Sequence, residues 1–304
     1  MERPGRAPRI DRLRGALLGL AVCDALGTTL EFRAPGTFPA LTDLVGGGPF
    51  RLQPGQWTDD TSMALCLADS LHSCREFNPR DQMDRYVRWF REGYWSSTGR
   101  CFDIGTTVSA ALQRFELSGQ PMAGDTDPRS AGNGSLMRLA PVPMFFARDE
   151  QSAVFRAAQS SRTTHGAPEC VDACRYFACL IVAALQGESR EQILDPSRWR
   201  HGALAPAIDA IRLGSFLRKE PPEIRGTGYV VDCLEAALWA FAQSRSFEHG
   251  ALLAVNLGDD ADTTGAVYGQ LAGAFFGEQG IPELWLKRLA MREEIGLLAE
   301  RVAE

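Results

Sequence analysis

The chain has 304 residues, which is enough for one large domain or two ordinary ones with a continuous apolar core. Hydrophobic residues make up 45% and charged residues 23% of it, so the composition excludes a disordered or fibrous protein. The 32 basic and 38 acidic residues give a net charge of −6 without any lysine- or arginine-rich run, which argues against a nucleic-acid-binding protein.

The chain contains eight cysteines, but no Cys-x-x-Cys spacing occurs and most of the cysteines lie in apolar helical patterns. This usage predicts reduced, buried thiols in a cytoplasmic protein. No apolar run reaches the ~20 residues that cross a bilayer, so an integral membrane protein is not expected.

Apolar residues recur at three- and four-residue steps along most of the chain, which predicts helices and almost no strands. The first pattern starts at Leu13 and ends at Asp24, a carboxylate on an otherwise apolar face. No repeat or shift in composition marks a domain boundary, so we predict one all-α domain over residues 1–304 with its core over about 10–300. Further helices are predicted over about 61–71, 83–90, 106–115, 153–160, 170–185, 205–217, 230–242, 263–276 and 281–299.

Segments rich in glycine and proline separate these helical patterns. They cover residues 35–55, 118–134 and 226–229. Because glycine and proline favour turns over regular elements, we predict long loops there. Long loops on a rigid scaffold often carry the functional residues.

A Thr-Asp-Asp-Thr stretch, residues 58–61, directly precedes the second helical pattern. One interpretation is helix capping, because Asp and Thr side chains accept from free backbone N–H groups and suit the positive end of the helix dipole. A second stretch, residues 258–264, reads Gly-Asp-Asp-Ala-Asp-Thr-Thr and precedes a helix rich in small residues, which permit close packing against another helix. Five aspartates at two helix starts exceed the one or two acceptors that capping uses.

If the two helix starts lie together, their carboxylates repel one another unless protons or cations compensate the charge. Oxygen ligands without histidine or cysteine favour hard cations such as magnesium, manganese or calcium over zinc. Two cations about 3.5–4 Å apart are a recurrent use of such a cluster. The spacing alone leaves both capping and a metal site open.

Four other segments suit a ligand site, and each has an ordinary structural alternative. Residues 132–138 combine flexible glycines with donors for a phosphate or sugar, but they also suit a turn that enters a helix. His165 lies at a loop-like break, where a lone histidine is more often structural than catalytic. Tyr229 is suited to stack on a base or to pack in the core. Asp103 lies between apolar neighbours, which favours either a raised pKa or a buried, hydrogen-bonded carboxylate.

Taken together and in this order, the segments resemble the ADP-ribosylglycohydrolase family, and most closely its bacterial dinitrogenase reductase-activating branch. The resemblance covers residues from about 10 to 300, and the paired T-D-D-T and D-x-D-T motifs are its most specific part. The matching segments are GALLGLAVCDALGTTLEF (15–32), PGQWTDDTSM (54–63), FDIG (102–105), AGNGSLMR (131–138), TH (164–165), GYVVD (228–232) and GDDADTTGA (258–266).

The resemblance implies a single-domain, all-α orthogonal helical bundle with long loops around a cleft that binds two divalent cations, Mg²⁺ or Mn²⁺. Asp259 stands where relatives often have glycine, and it competes as a ligand. The implied cation ligands are Thr58, Asp59, Asp60, Asp260, Asp262 and Thr263. The implied catalytic carboxylates are Asp103 and Glu31. The implied contacts to the phosphates, ribose and adenine of ADP-ribose are Gly132, Asn133, Gly134, Ser135, Met137, Arg138, His165 and Tyr229.

The activity implied by the resemblance is removal of ADP-ribose from a modified protein side chain, with arginine as the expected linkage, by hydrolysis of the N-glycosidic bond. ADP-ribose is the expected product, dinitrogenase reductase is the target that the branch suggests, and a monomer is expected. The alternatives are a hydrolase of ADP-ribosylserine or another ADP-ribose conjugate, a two-metal phosphohydrolase, and a catalytically silent ADP-ribose-binding module. A phosphohydrolase is disfavoured because no histidine accompanies either acidic cluster, and a silent module because both clusters are intact.

Overall fold

The computed structural model describes residues 10–303, and within that range it contains fourteen α-helices and no β-sheet. Isolated β-bridges are the only extended pairings among these residues. The predicted all-α, single-domain class is confirmed. The helices are α1 (Ile10–Gly27), α2 (Asp59–Cys74), α3 (Pro79–Glu92), α4 (Thr106–Ser118), α5 (Pro141–Phe145), α6 (Glu150–Arg162), α7 (Pro168–Gln186), α8 (Arg190–Ile193), α9 (Pro206–Arg212), α10 (Val230–Gln243), α11 (Phe247–Val255), α12 (Ala261–Phe276), α13 (Glu283–Arg288) and α14 (Arg292–Val302).

The two central helices, α1 and α12, lie antiparallel in close contact because glycines occupy their interface. A Cβ at Gly19 would lie 2.5 Å from the Gly269 carbonyl oxygen. A Cβ at Gly27 would lie 2.5 Å from the Cα of Asp262, which is shorter than real Cβ contacts. The close packing predicted from the small residues is therefore confirmed, and it brings the end of α1 beside the start of α12.

One hydrophobic cluster runs from Leu13 in α1 to Val302 in α14 and includes side chains from most of the helices. All eight cysteines are free thiols, and six of them are buried. Burial raises the pKa of the Cys174 thiol to about 11, so this group packs as a small neutral side chain. The expectation of reduced thiols that pack as small hydrophobes therefore agrees with the structure at six positions, whereas Cys74 and Cys101 are partly exposed.

The structure differs from the predicted helices at five places. Two predicted helices are wrong as single elements: residues 205–217 are divided by Gly214 (φ 84°), and residues 281–299 are divided by Met291 (φ 55°), because a left-handed residue ends a right-handed helix. Helices α5 and α8 escaped prediction because five and four residues are too short to show a period. Helix α11 escaped prediction because it has nine residues and contains Gly250, where a Cβ would meet the ring of Tyr268.

Apart from Ser118, the last residue of α4, the three predicted loop segments contain no α-helix, and a single 3-10 turn at residues 128–130 interrupts the second of them. These loops converge on one end of the central helix pair. Residues 131 and 230 are joined by a backbone hydrogen bond of 3.0 Å, and residues 133 and 228 by one of 3.1 Å. Over residues 10–303, no helix is long and apolar enough to cross a membrane.

Candidate active site

Asp24, near the end of α1, binds the Thr-Asp-Asp-Thr stretch of residues 58–61 at the start of α2. It is fully buried, and its Oδ1 accepts from the backbone N and the Oγ1 of Thr58, both at 2.9 Å. Its Oδ2 accepts from the backbone N and the Oγ1 of Thr61, at 3.0 and 2.6 Å. Asp24 therefore uses both oxygens to fix the start of α2, a role that sequence reasoning missed although an acid on an apolar helix face was its signal.

The capping interpretation of the two clusters is wrong. Thr58, the N-cap residue of α2, makes no side-chain cap hydrogen bond, and neither does Asp260, the N-cap residue of α12. Asp24 accepts from two N–H groups at the start of α2, those of Thr58 and Thr61, and the carboxylate of Asp60 makes no cap there, so it is left for another role. The side chains in these motifs are therefore held toward one another instead of toward their own backbone.

The two helix starts meet in space, as the metal-site interpretation requires. The Thr58 Oγ1 atom lies 3.2 Å from Asp60 Oδ2 and 3.4 Å from Asp262 Oδ2. The Thr263 Oγ1 atom lies 3.5 Å from the same Asp60 oxygen. The start of α2 and the start of α12 are about two hundred residues apart in the sequence. They lie together because the end of α1 contacts both, through Asp24 and through Gly27.

Two carboxylate triads share one residue, Asp262. In the first triad, one oxygen each from Asp24, Asp60 and Asp262 lies within 4.8 Å of the others. In the second triad, the same holds for Glu31, Asp103 and Asp262. Two neighbouring groups of oxygen ligands with a shared carboxylate are typical of a two-cation site.

The chemistry of these side chains fits bound cations. Within the two triads, three buried carboxylate oxygens have no hydrogen-bond partner: Asp60 Oδ1, Asp262 Oδ1 and Glu31 Oε2. None of the ion pairs within residues 10–303 reaches either triad. A buried carboxylate without a donor or counter-charge is costly, so this arrangement favours hard cations as the missing partners.

The remaining aspartates of the clusters lie in different surroundings. Asp59 is buried and lines the cavity beside the triads, and Asp260 accepts a hydrogen bond of 2.7 Å from the amide of Asn133. Asp259 is exposed, belongs to neither triad and adopts a left-handed φ of 59°. Its competing role as a ligand therefore has no support in the geometry.

Burial and mutual repulsion raise the pKa values of the triad carboxylates in the metal-free protein. Burial and the neighbouring Asp24 raise the pKa of Asp103 to about 8, and burial, Asp103 and Asp260 raise the pKa of Glu31 to about 9. The pKa values of Asp60 and Asp262 are raised well above the ordinary range, chiefly by burial. Protons and cations therefore compete for the same oxygens.

We expect the metal-free protein to lose thermal stability as pH rises from about 5 to about 9. The unfolded carboxylates ionise near their ordinary pKa of ~4, whereas the folded protein resists ionisation of Asp103 to about 8 and of Glu31 to about 9. A raised folded pKa stabilises the protein below the unfolded value, and this contribution disappears as pH passes the folded value. Thermal unfolding in a chelator, compared with unfolding in excess Mg²⁺ or Mn²⁺, measures this effect. Cations are expected to restore stability at high pH, and a chelated protein that grows more stable with pH would contradict the expectation.

The second triad lines a cavity of about 360 Å³, and the first triad reaches it through Asp262. The cavity also contains several of the predicted substrate-binding residues. Its lining includes Gly132, Asn133, Gly134, Met137 and His165. A larger cavity of about 1010 Å³ near the start of α6 contains neither acidic cluster, and we assign it no part in this site.

Three predicted contacts lie outside that cavity. Ser135 and Arg138 are buried behind the loop of residues 132–134, where Ser135 Oγ lies 2.9 Å from Ser161 Oγ. Tyr229 lies at an adjoining cavity of about 650 Å³ and is 40% exposed, so the alternative that it packs in the core is wrong. Direct contact of these three residues with a substrate stays a prediction.

Phe32 lines the cavity, and sequence reasoning did not single it out. Its side chain is 67% exposed, and its backbone adopts a left-handed φ of 60°. The Phe32 N–H donates to the Asp259 carbonyl at 2.7 Å, and the Asp259 N–H donates to the Arg33 carbonyl at 2.8 Å. These bonds hold an exposed aromatic ring at the cavity despite an unfavourable backbone conformation. The only signal for Phe32 in the sequence was its place at the end of the family-matching segment of residues 15–32.

An all-α fold with two buried carboxylate triads beside a cavity defines a class of helical proteins with a carboxylate-lined cleft that could bind metal ions. The chain belongs to the ADP-ribosylglycohydrolase family, whose model matches residues 5–304. The resemblance inferred from the motifs is therefore confirmed.

Individual relatives agree with this family. The chain is 44% identical to the "ADP-ribosylarginine hydrolase Tri1" of Serratia proteamaculans, over 96% of this chain and 79% of that protein. It is 32% identical to the "ADP-ribosyl-[dinitrogen reductase] glycohydrolase" of Rhodospirillum rubrum, over 93% and 92%. A solved "ADP-ribosylglycohydrolase-related protein complex" superposes with a TM-score of 0.87 at 48% identity, over 97% of this chain and 98% of that chain. Identity is thus higher to the Serratia protein than to the Rhodospirillum protein, although the motifs had suggested the dinitrogenase reductase-activating branch.

Proposed function

We propose that this protein hydrolyses the N-glycosidic bond between ADP-ribose and an arginine side chain of a modified protein. The observation that carries the proposal is the pair of carboxylate triads that share Asp262 beside a cavity of about 360 Å³. The names of the relatives at 44% and 45% identity, both ADP-ribosylarginine hydrolases, support arginine as the linkage.

Mg²⁺ and Mn²⁺, the cations that the family resemblance implies, are among the hard cations that an all-oxygen set binds. When bound, two such cations supply fixed positive charge for sugar hydroxyls and for the attacking water. The orphaned oxygens of Asp60 and Asp262 support their placement as ligands. The full proposed ligand set is Thr58, Asp59, Asp60, Asp260, Asp262 and Thr263. Of these, Asp60 and Asp262 belong to the triads, whose other members Asp24, Glu31 and Asp103 adjoin Asp262.

The cavity suits a substrate whose modified side chain carries positive charge before the bond breaks. Among residues 10–303, no lysine or arginine lines it, whereas Glu31, Asp59 and Asp103 do. In an arginine-linked substrate, the electron pair of the breaking bond between the anomeric carbon and nitrogen goes to a guanidinium, which leaves as neutral guanidine. No strong general acid is therefore required.

The proposed work of Asp103 is to stabilise the oxocarbenium-like charge on the ribose and to accept the proton that the attacking water loses. Glu31 lies in the same triad, where it is placed to orient that water. Water adds to the anomeric carbon, so the products are ADP-ribose and unmodified arginine. The proton that water loses balances the one that reprotonates the guanidine, so no net proton is released at neutral pH.

Tyr229→Ala is expected to raise KM for the ADP-ribosylated substrate about 5- to 150-fold while kcat changes much less, because stacking of an aromatic ring on a base contributes ~1–3 kcal/mol. Steady-state kinetics measure this split. Because Tyr229 is 40% exposed, the variant should fold, and Tyr229→Phe, which keeps the ring, should behave like the wild type. An unchanged KM for Tyr229→Ala would remove Tyr229 from the adenosine subsite.

The linkage is tested with two synthetic peptides of identical sequence, one ADP-ribosylated on arginine and one on serine, each incubated with the cation-loaded protein. Release of unmodified peptide from the arginine conjugate, at a rate at least about 10²-fold above that from the serine conjugate, supports the proposal. Preferential release from serine assigns the alternative linkage. Retention of both conjugates would leave a binding module as the better description.

A further inference from the structure

Arg138 is a fully buried cation without a carboxylate partner. Its side chain has no solvent exposure, and none of the ion pairs within the described residues includes it. Its guanidinium carbon lies 4.6 Å from the centre of the Tyr86 ring. Because burying an unpaired charge is costly, the hydrogen bonds of this guanidinium must compensate part of the cost.

The guanidinium bonds to two segments that border the cavity. Its Nη1 donates to the Gly134 carbonyl at 3.1 Å, and its Nη2 donates to the Thr164 Oγ1 at 2.6 Å. The Thr164 Oγ1 in turn lies 2.8 Å from His165 Nδ1. Arg138 is thus connected through one hydroxyl to an imidazole that lines the cavity.

Proton accounting along this chain fixes the form of the imidazole. Arginine has only donors, so the Thr164 oxygen must accept from Arg138 and must direct its own proton elsewhere. Within residues 10–303, the only other recorded partner of that hydroxyl is His165 Nδ1. If an Nδ1–H donated to this oxygen instead, the proton of the buried Thr164 hydroxyl would have no recorded acceptor, so the arrangement that satisfies every group has Nδ1 accepting. Burial and the charge of Arg138 lower the pKa of His165 to about 3, so the ring is neutral and its single proton lies on Nε2.

The Nε2 side of the ring faces the glycine loop that borders the cavity. A Cβ at Gly132 would lie 3.6 Å from Nε2, and a Cβ at Gly134 would lie 3.2 Å from Nε2 and 2.9 Å from Cε1. Glycine at these two positions keeps side-chain atoms away from this edge of the ring. No hydrogen bond to Nε2 is recorded among the described residues, so its proton is free for a ligand.

We propose that Arg138 and Thr164 act as positioning residues that lock His165 in the Nε2–H tautomer, so that it donates a hydrogen bond to an acceptor oxygen of the ADP-ribosyl group. The ligand in this statement rests on the proposed function, whereas the tautomer does not. A neutral histidine without this lock would present either a donor or a lone pair to the substrate, and a lone pair would repel a phosphate or ribose oxygen. Arg138 is buried behind the loop, and in this proposal it acts through Thr164 and His165.

The tautomer is tested by nitrogen NMR of the substrate-free protein with labelled histidine. The chain has four histidines, and His165→Gln identifies the signal of interest. We expect wild-type His165 to show a protonated Nε2 and an unprotonated Nδ1 between pH 5 and 8. Thr164→Val removes the hydroxyl at nearly constant shape and is expected to give a mixture of tautomers, whereas Thr164→Ser should restore the single form.

Thr163→Val is the matched control, since the Thr163 hydroxyl lies 3.4 Å from Arg138 Nη2, is buried and has no recorded contact with the imidazole. It should leave the tautomer unchanged. A wild-type ring protonated at Nδ1, or an unmixed Nε2–H form in folded Thr164→Val, would overturn the proposal. Because these spectra need no substrate, they remain decisive even if the protein hydrolyses a different linkage.

Kinetics test the second half of the proposal. Thr164→Val should raise KM for the ADP-ribosylated peptide about 2- to 12-fold, the range that one hydrogen bond contributes, while kcat stays within about twofold. Thr164→Ser should bring KM back toward the wild-type value, and Thr163→Val should not raise it comparably. Mixed tautomers with an unchanged KM would show that the donor does not contact the substrate and would overturn that half.

Discussion

Asp262→Asn is expected to lower turnover about 10³-fold or more, because loss of bound cations removes several kcal/mol of transition-state stabilisation. Asp262 is the single carboxylate common to both triads, and its Oδ1 has no other partner. An amide offers a weaker, uncharged oxygen, so both cation sites should weaken together. Steady-state rates and the cation content after gel filtration measure the two effects in parallel.

Asp259→Asn is the matched control for this change. It removes the same charge three residues away in sequence, but Asp259 is exposed and lies outside both triads. Asparagine also tolerates the left-handed backbone at this position (φ 59°). Asp259→Asn should therefore keep its cations and most of its activity. Wild-type activity and cation content in Asp262→Asn would contradict the two-triad assignment.

Asp103→Asn is expected to lower kcat about 10²- to 10⁴-fold, the usual consequence of losing a general acid or base. The substitution is nearly isosteric, and Asp103 adjoins Asp262 without belonging to the proposed ligand set. Cation content and affinity for ADP-ribose should therefore stay near the wild-type values. Single-turnover rates, with cation content determined on the same samples, measure the effect.

Glu31→Gln is the natural comparison, since Glu31 and Asp103 lie in the same triad with Asp262. A wild-type rate in Asp103→Asn together with an inactive Glu31→Gln would transfer the proton-carrying role to Glu31. If both variants lose cations together with activity, the two carboxylates are ligands and neither carries the proton.

The periodicity and the acidic motifs made much of the fold predictable from the sequence. Long apolar stripes such as those of α1 and α7 are visible because their period persists over many residues. The two Asp-rich stretches were visible because they hold more carboxylates than a helix start uses. The sequence could not exclude helix capping at these stretches, because capping depends on where each side-chain oxygen points.

The parts that escaped sequence reasoning depend on contacts between distant segments. Asp24 fixes the start of α2 from 34 residues away, and only the fold brings those atoms together. Arg138 matched a substrate-binding motif, but the structure places it behind the loop, bonded to Thr164. The left-handed conformation of Phe32 follows from its hydrogen bond to Asp259, across more than two hundred residues, so no local pattern encodes it.

The most direct test of the account is the identity of the products formed from an arginine-ADP-ribosylated peptide by the cation-loaded protein, read by mass spectrometry. Hydrolysis of the N-glycosidic bond predicts two products in equal amounts, intact ADP-ribose and the unmodified peptide, and none of either after exhaustive chelation. Release of AMP with phosphoribose left on the peptide would mean that the site cleaves the diphosphate, and would contradict the proposed reaction.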